Sequence, residues 1–174
     1  MAKAVKAKAK SGKAPAKAKA KAAKPGGTPP SGYWLFKSEP DVFSYEMLVA
    51  KGKKGEPWDG VRNYQARNNM LAMKVGDLGF FYHSNEGREI VGVVEVIALA
   101  HQDPKDDTGK WKCVDVRAVR AAPKPYSLDD AKANEKLAKM VLVNNSRLSV
   151  QPVAANEWTE ICKRCGLDPK TLKS

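Results

Sequence analysis

Trp58-Asp59-Gly60-Val61-Arg62-Asn63-Tyr64-Gln65-Ala66-Arg67-Asn68 is the stretch of this chain whose residue types best fit a chemical task. It sets aromatic planes (Trp58, Tyr64) beside guanidinium and amide groups (Arg62, Asn63), without strand or helix period at its start. A nucleobase needs both features: a plane to stack on, and donors or acceptors for its edge. Spacing alone equally allows a structural loop with Trp58 tucked over the core, so both readings stand at this point.

Other reactive residues support less. His83 and His101 are the two histidines. A hydrolase would draw on His83 with Asp59 or Glu39 and a serine such as Ser38 or Ser84. Neighbouring residues of a strand point to opposite faces, however, and His83-Ser84 lacks a nucleophile-elbow context. Phosphate-binding glycine patterns are missing, and no catalytic residue and no cofactor is assigned. Cys162-Lys163-Arg164-Cys165 has half the spacing of a zinc site, without a second pair to complete four ligands. Trp158, Ile161, Cys162 and Cys165 instead fall at i, i+3, i+4 and i+7, the buried stripe of an amphipathic helix. No metal is expected.

The elements that must position these residues are short. Tyr33-Trp34-Leu35-Phe36 suits a buried strand. Ser44 can cap a helix that turns Met47 and Leu48 inward and stops at Gly52. A second short helix should carry Met70 and Leu71 on its apolar side. Leu78–Ser84 and Glu89–Ala98 read as strands joined by the turn Asn85-Glu86-Gly87. A loop over Asp103–Lys110 leads to the strand Trp111–Val119, whose residues alternate at first, Trp111 and Cys113 one way, Lys112 and Val114 the other. Ser127 and Asp130 have capping-box spacing. Arg147–Val150 reads as a strand stopped by Pro152, and a helix follows from about Ala154 to Cys165, closed by Gly166. Short strands interrupted by short helices, without regular βαβ alternation, predict an α+β fold built on a small curved sheet or barrel.

Charge divides the chain in two. Residues 1–31 hold Lys3, Lys6, Lys8, Lys10, Lys13, Lys17, Lys19, Lys21 and Lys24 and no acidic residue. Residues 32–174 hold 22 of the 31 Lys+Arg against all 19 Asp+Glu. Most of the formal +12 thus belongs to the lysine-rich segment. Its dense lysines repel, nothing larger than Val5 is there to bury, and prolines and glycines punctuate it, so 1–31 is expected to be a disordered tail that meets phosphates without reading sequence. Residues 32–174 are expected to form one domain. Three cysteines suit a reducing compartment. No apolar run approaches the roughly 18 residues of a membrane span, and no secretory signal is apparent. The expectation is a cytoplasmic protein with no membrane partner, nucleoid-associated in a bacterium or nuclear in a eukaryote.

Four blocks make the reading specific: Tyr33-Trp34-Leu35-Phe36-Lys37-Ser38-Glu39-Pro40-Asp41, Trp58 through Asn68, Phe81-Tyr82-His83-Ser84-Asn85, and Ser146-Arg147-Leu148-Ser149-Val150-Gln151-Pro152-Val153. In this order, over about residues 33–167, they resemble the signature blocks of the EVE domain family. The resemblance implies a PUA-like fold, a curved barrel-like sheet with short flanking helices, related to YTH and ASCH domains. It also implies a pocket for a modified base, with methylated or hydroxymethylated cytosine in DNA favoured and RNA possible. The matching pocket positions are Lys37, Ser38, Trp58, Arg62, Asn63, Tyr64, His83, Ser84, Ser149 and Gln151. Within that set Trp58 and Tyr64 are expected to stack on the base. Asn63, Ser38 and Ser84 are expected to bond its edge, and Arg62 and Lys37 to meet phosphate.

Two departures bear on this. Many relatives carry a longer insertion where only His101–Lys110 stands here, and the lysine tail is an addition to the family pattern. The expected function is a nucleic-acid-binding module with a basic tail. The rivals are a nuclease or hydrolase acting on modified nucleotides or RNA, and an architectural nucleoid protein working through its tail.

Overall fold

The computed structural model describes residues 31–172. The nine tail lysines lie outside the described residues. Ser31, read as the last residue of the tail, donates its Oγ to the Val153 carbonyl and so belongs to the fold.

The strands are β1 (Tyr33–Ser38), β2 (Glu56–Pro57), β3 (Leu78–His83), β4 (Glu89–Gln102), β5 (Lys112–Ser127) and β6 (Val150–Pro152). The helices are α1 (Tyr45–Ala50), α2 (Tyr64–Ala72), α3 (Leu128–Ala133), α4 (Val141–Asn144) and α5 (Ala155–Cys165). One mixed sheet runs in the order β2-β5-β4-β3-β1-β6. Among the described residues only β1 and β3 pair in parallel; the other neighbours are antiparallel. The α+β curved sheet expected from the sequence is the fold observed.

Apolar residues cover the sheet on both faces. On one, α5 lays Trp158, Ile161, Cys162 and Cys165 against Leu35, Phe80 and Ile90, all of them buried. Trp158 lies between Phe80 (centroids 4.2 Å apart) and Tyr33 (4.5 Å), both near-parallel to it. Burial pushes the Cys162 and Cys165 thiols up to about 12, as suits packing residues. On the other face α1 and α2 cover Trp34, Phe36, Phe81 and Val94. Register shifts between β4 and β5 curl the sheet around this second core. Helix α2 spans the opening: Asn69 Nδ2 donates to the Val150 carbonyl of β6 (2.8 Å), and Arg67 Nη1 to the Lys110 carbonyl next to β5 (3.1 Å).

Several local expectations shift. Met47 and Leu71 face solvent rather than the core, 47% and 51% exposed. The inward positions of α1 are Tyr45 and Leu48, and Ala66, Met70 and Met73 form the i, i+4, i+7 line at α2. The strand read over 111–119 continues to Ser127, passing Pro123 and Pro125 where pairing to β4 jumps from Ala121–Gly92 to Tyr126–Ile90. Prolines fit there because no ladder bond is required of them. Cys113 and Val114 are both buried, since β5 is covered on its two faces. The last strand is Val150–Pro152 rather than 147–150; β6 is the sheet edge, which spares Pro152 a donor. Among the described residues, no helix is long and apolar enough to cross a membrane.

Candidate nucleic-acid interface

A cleft of ≈ 540 Å³ opens where β1 ends, within the size range of small-ligand sites. Strand β1 delivers Lys37 and Ser38 to its mouth, and the Lys37 N–H donates to the Ser149 carbonyl (2.9 Å), bringing Ser149 alongside. The opposite wall is residues 56–62, fixed to β5 by the Trp58 N–H on the Val114 carbonyl (2.7 Å). Aromatic rings make the back of the cleft. Trp58 meets Phe36, Phe81 and Phe43 edge-on, at 5.2, 5.4 and 6.2 Å between centroids. Such contacts fix an indole plane more tightly than area burial alone. The cleft thus combines apolar ring surface with two serines, the cations Lys37, Arg62 and Lys105, and the acidic Glu39, Glu56 and Asp59.

The rim is held by a carboxylate that sequence reasoning missed. Asp103 has a fully buried side chain and accepts from Arg62 Nη1 (2.7 Å), the Lys105 N–H (2.7 Å) and the Gly60 N–H (2.9 Å). Burial pushes this carboxyl up, but the Arg62 guanidinium and the two N–H groups outweigh it, so it titrates below the ordinary carboxylate range. A second ion pair, Lys105 to Asp59 at 2.8 Å, closes the same edge. Asp106 winds the rest of the loop, accepting from Thr108 and from the Trp111 N–H (2.8 Å). The short loop after β4 is therefore part of the rim. Beside it Tyr64 packs on Trp111 (4.9 Å), with Arg67 over Tyr64 (4.9 Å) and Arg62 over Trp111 (5.7 Å).

Of the ten positions read from the sequence, Lys37, Ser38, Trp58, Arg62 and Ser149 line the cleft. The other five stand elsewhere. Asn63 caps α2, its Oδ1 accepting from the Ala66 N–H (2.9 Å). Tyr64 is 58% exposed and turned to Trp111. His83 Nε2 accepts the Tyr45 N–H (3.3 Å) at the start of α1. Ser84 gives its N–H to the Ser38 carbonyl (2.8 Å) but lines a different cleft. Gln151 is fully buried, its Nε2 bonding the Leu148 carbonyl (2.7 Å) and the Asn145 carbonyl (3.2 Å), which pins the turn carrying Ser149. Within the cleft Arg62 is paired with Asp103, and Trp58 is 7% exposed, packed edge-on against its aromatic neighbours. Phe43, Lys105 and Asp103 were not singled out in the sequence, and Glu39 only as a possible hydrolase partner of His83. The proline-acid run at 103–107 marks a turn, but nothing in it points to Arg62.

A thiol, imidazole and carboxylate also meet on the sheet. His101 Nε2 lies 2.7 Å from Asp115 Oδ1, and Cys113 Sγ lies 3.7 and 3.8 Å from the two ring nitrogens. Equal distances place the sulfur over the ring rather than in line with a nitrogen lone pair. Burial pushes the thiol up to about 12. This arrangement is built for packing, not for nucleophilic attack.

Comparison with known proteins agrees with this architecture. A family model described as the EVE domain matches residues 32–164. Mouse thymocyte nuclear protein 1 is 40% identical over 167 residues, covering 78% of this chain and 74% of its own. A crystal structure of an Agrobacterium tumefaciens protein is 59% identical, with a TM-score of 0.77 over 82% of this chain and 98% of that one. The crystal structure of human THYN1 in complex with 5-methylcytosine-containing DNA is 35% identical, with a TM-score of 0.72 over 79% of this chain and 99% of that one. With the family's domain matched across nearly all of the folded part, the chain belongs to the EVE domain family.

Proposed function

We propose that this chain is a nucleic-acid-binding module that accepts a modified base, a 5-substituted cytosine in DNA first among candidates, in the cleft at the end of β1. One observation carries the reading: a relative of the same fold, 35% identical over 79% of this chain, is seen with 5-methylcytosine-containing DNA. The chemistry of the cleft supports it. A base turned out of its stack loses stacking and pairing worth a few kcal/mol, which an aromatic back wall and hydrogen-bonding hydroxyls can offset. Trp58 and Phe43 supply the apolar surface, Ser38 and Ser149 the groups for the base edge, and Lys37 a cation at the mouth. A methyl group alone gives about 1–3 kcal/mol of discrimination. The nine tail lysines would add salt-sensitive, sequence-independent affinity and keep the module near nucleic acid, in a nucleoid or a nucleus. A binding role, rather than catalysis, suits the engaged His83 and the out-of-line Cys113 and His101.

The test is calorimetry of the full chain with short single and double strands carrying plain, methylated or hydroxymethylated cytosine. Preference for one modified form, reduced in Trp58→Phe, is the expected result. Equal affinity for all of them, or turnover of any strand, defeats the reading.

A further inference from the structure

A second cleft, of ≈ 570 Å³, shares Lys37 with the first. Lys37 lines both, and its ammonium lies at the Ser146 carbonyl and 5.6 Å from the Tyr82 ring centroid, two residues of the second cleft. Resting on the reading above, we propose that this second cleft takes the phosphodiester backbone of the strand whose base enters the first.

The argument is one of uncompensated charge. In the base cleft the other two cations are already neutralised, Arg62 by Asp103 and Lys105 by Asp59. The second cleft is lined by Lys37, Arg88 and Lys132, and among the described residues none of the three forms an ion pair with a carboxylate. Lys37 donates to the Ser146 carbonyl, a neutral partner, and burial lowers its pKa. An anion beside it would reverse that penalty. Ser84, Asn85 and Ser146 add neutral hydrogen-bonding groups to the same walls. Tyr82 stays an O–H donor there: burial raises its pKa, Arg88 pulls it down and Asp129 pushes it up. Three unpaired cations with hydroxyl and amide groups between them suit a chain of phosphates, each with one charge and several acceptor oxygens. Tyr82 is the one aromatic residue lining this cleft, and it is 2% exposed with the Lys37 ammonium 5.6 Å from its ring centroid, so a base gains little by entering.

The two clefts are also tied together through the backbone. The Ser84 N–H on the Ser38 carbonyl fastens the end of β3 to the end of β1, so the two clefts keep a fixed relation across Lys37. A nucleotide seated by its base on one side can thus present its own phosphates to the other without rearrangement of the domain.

The test compares the full chain with Arg88→Gln/Lys132→Gln, and with Lys53→Gln/Lys54→Gln as a control that removes two exposed lysines elsewhere. Binding of a short single strand with one central 5-methylcytosine, and of its plain counterpart, is measured across a range of salt. The Arg88/Lys132 variant should weaken both strands by about tenfold at low salt and flatten the log–log salt slope by about 1.4, at about 0.7 per phosphate contact. The ratio between modified and plain strands should stay as in the parent. An unchanged slope, or an equal loss in the Lys53/Lys54 control, overturns the backbone site. A ratio of one in the parent protein instead overturns the base reading, whatever the slope does. Failure of both strands to bind the parent overturns both.

Discussion

Arg62 and Asp103 stand 41 positions apart in the chain and meet at 2.7 Å across the mouth of the cleft, Nη1 to Oδ2. The pair joins the segment that carries Trp58 to the loop between β4 and β5. Asp103 also receives the Gly60 and Lys105 N–H groups, so one carboxylate shapes the rim from three directions.

Asp103→Asn should destabilise the protein by about 1–3 kcal/mol, since buried donors lose a charged acceptor. The folded-state pKa of Asp103 is depressed, so its contribution is fully present above the ordinary carboxylate value of 3.8 and fades as pH falls through the folded value. Urea unfolding at a series of pH values should therefore show parent and variant converging only in acid. A constant gap down to the lowest pH would mean that Asp103 acts through packing rather than charge.

The His101–Asp115 contact has the opposite sign. Hydrogen bonding to Asp115 raises the pKa of His101 above 6.5. The stabilisation is fully present below 6.5 and is lost as pH rises through the folded value. Titration of the His101 ring by NMR should show the raised value in the parent and a fall toward 6.5 in Asp115→Asn. No change in the variant would show that the carboxylate does not act on the ring.

Ser38 and Ser149 line the cleft without belonging to either apolar core. Replacing each with alanine should leave Tm nearly unchanged and cost about two- to tenfold in affinity for the preferred oligonucleotide, the worth of one neutral hydrogen bond. Calorimetry beside a thermal melt separates the two effects. Full affinity in the double variant would remove these hydroxyls from base recognition.

Gly92 marks where the Tyr45 ring crosses β4. A Cβ there would sit 2.3 Å from Tyr45 Cζ, and the ring is held by its hydroxyl on the Val93 carbonyl (3.0 Å). Gly92→Ala should cost about 1–3 kcal/mol by overpacking, read from the urea midpoint. Tyr45→Phe/Gly92→Ala should not restore stability, because the clash is with ring carbons rather than with the hydroxyl.

Much of the local structure was legible because it depends on neighbours in the chain. Ser44 caps α1 and accepts the Met47 N–H, Ser127 accepts the Asp130 N–H, and Gly166 ends α5 in the left-handed region. The stripe Trp158, Ile161, Cys162, Cys165 is buried as its spacing required. Where the reading slipped, contact with a distant element decided the matter. Met47 and Leu71 were set inward on apolar character alone, but the faces that meet the sheet lie at Tyr45–Leu48 and Ala66–Met70–Met73.

The sequence by itself determined the α+β class, the caps at Ser44, Ser127 and Gly166, and, through four ordered blocks, the family. Those features follow from propensity, period and motif, which act over a few residues at a time. Which of the ten candidate residues share one cleft was decided only by the tertiary structure. Neighbours Arg62 and Asn63 part company because one turns to Asp103 and the other caps a helix, while Lys37, Trp58 and Ser149 converge from three separate segments. Asn63 turns to a donor three residues on, whereas Arg62 is directed by a buried charge 41 positions away and Lys37 and Ser149 are joined by a backbone bond between distant strands, which local sequence does not specify.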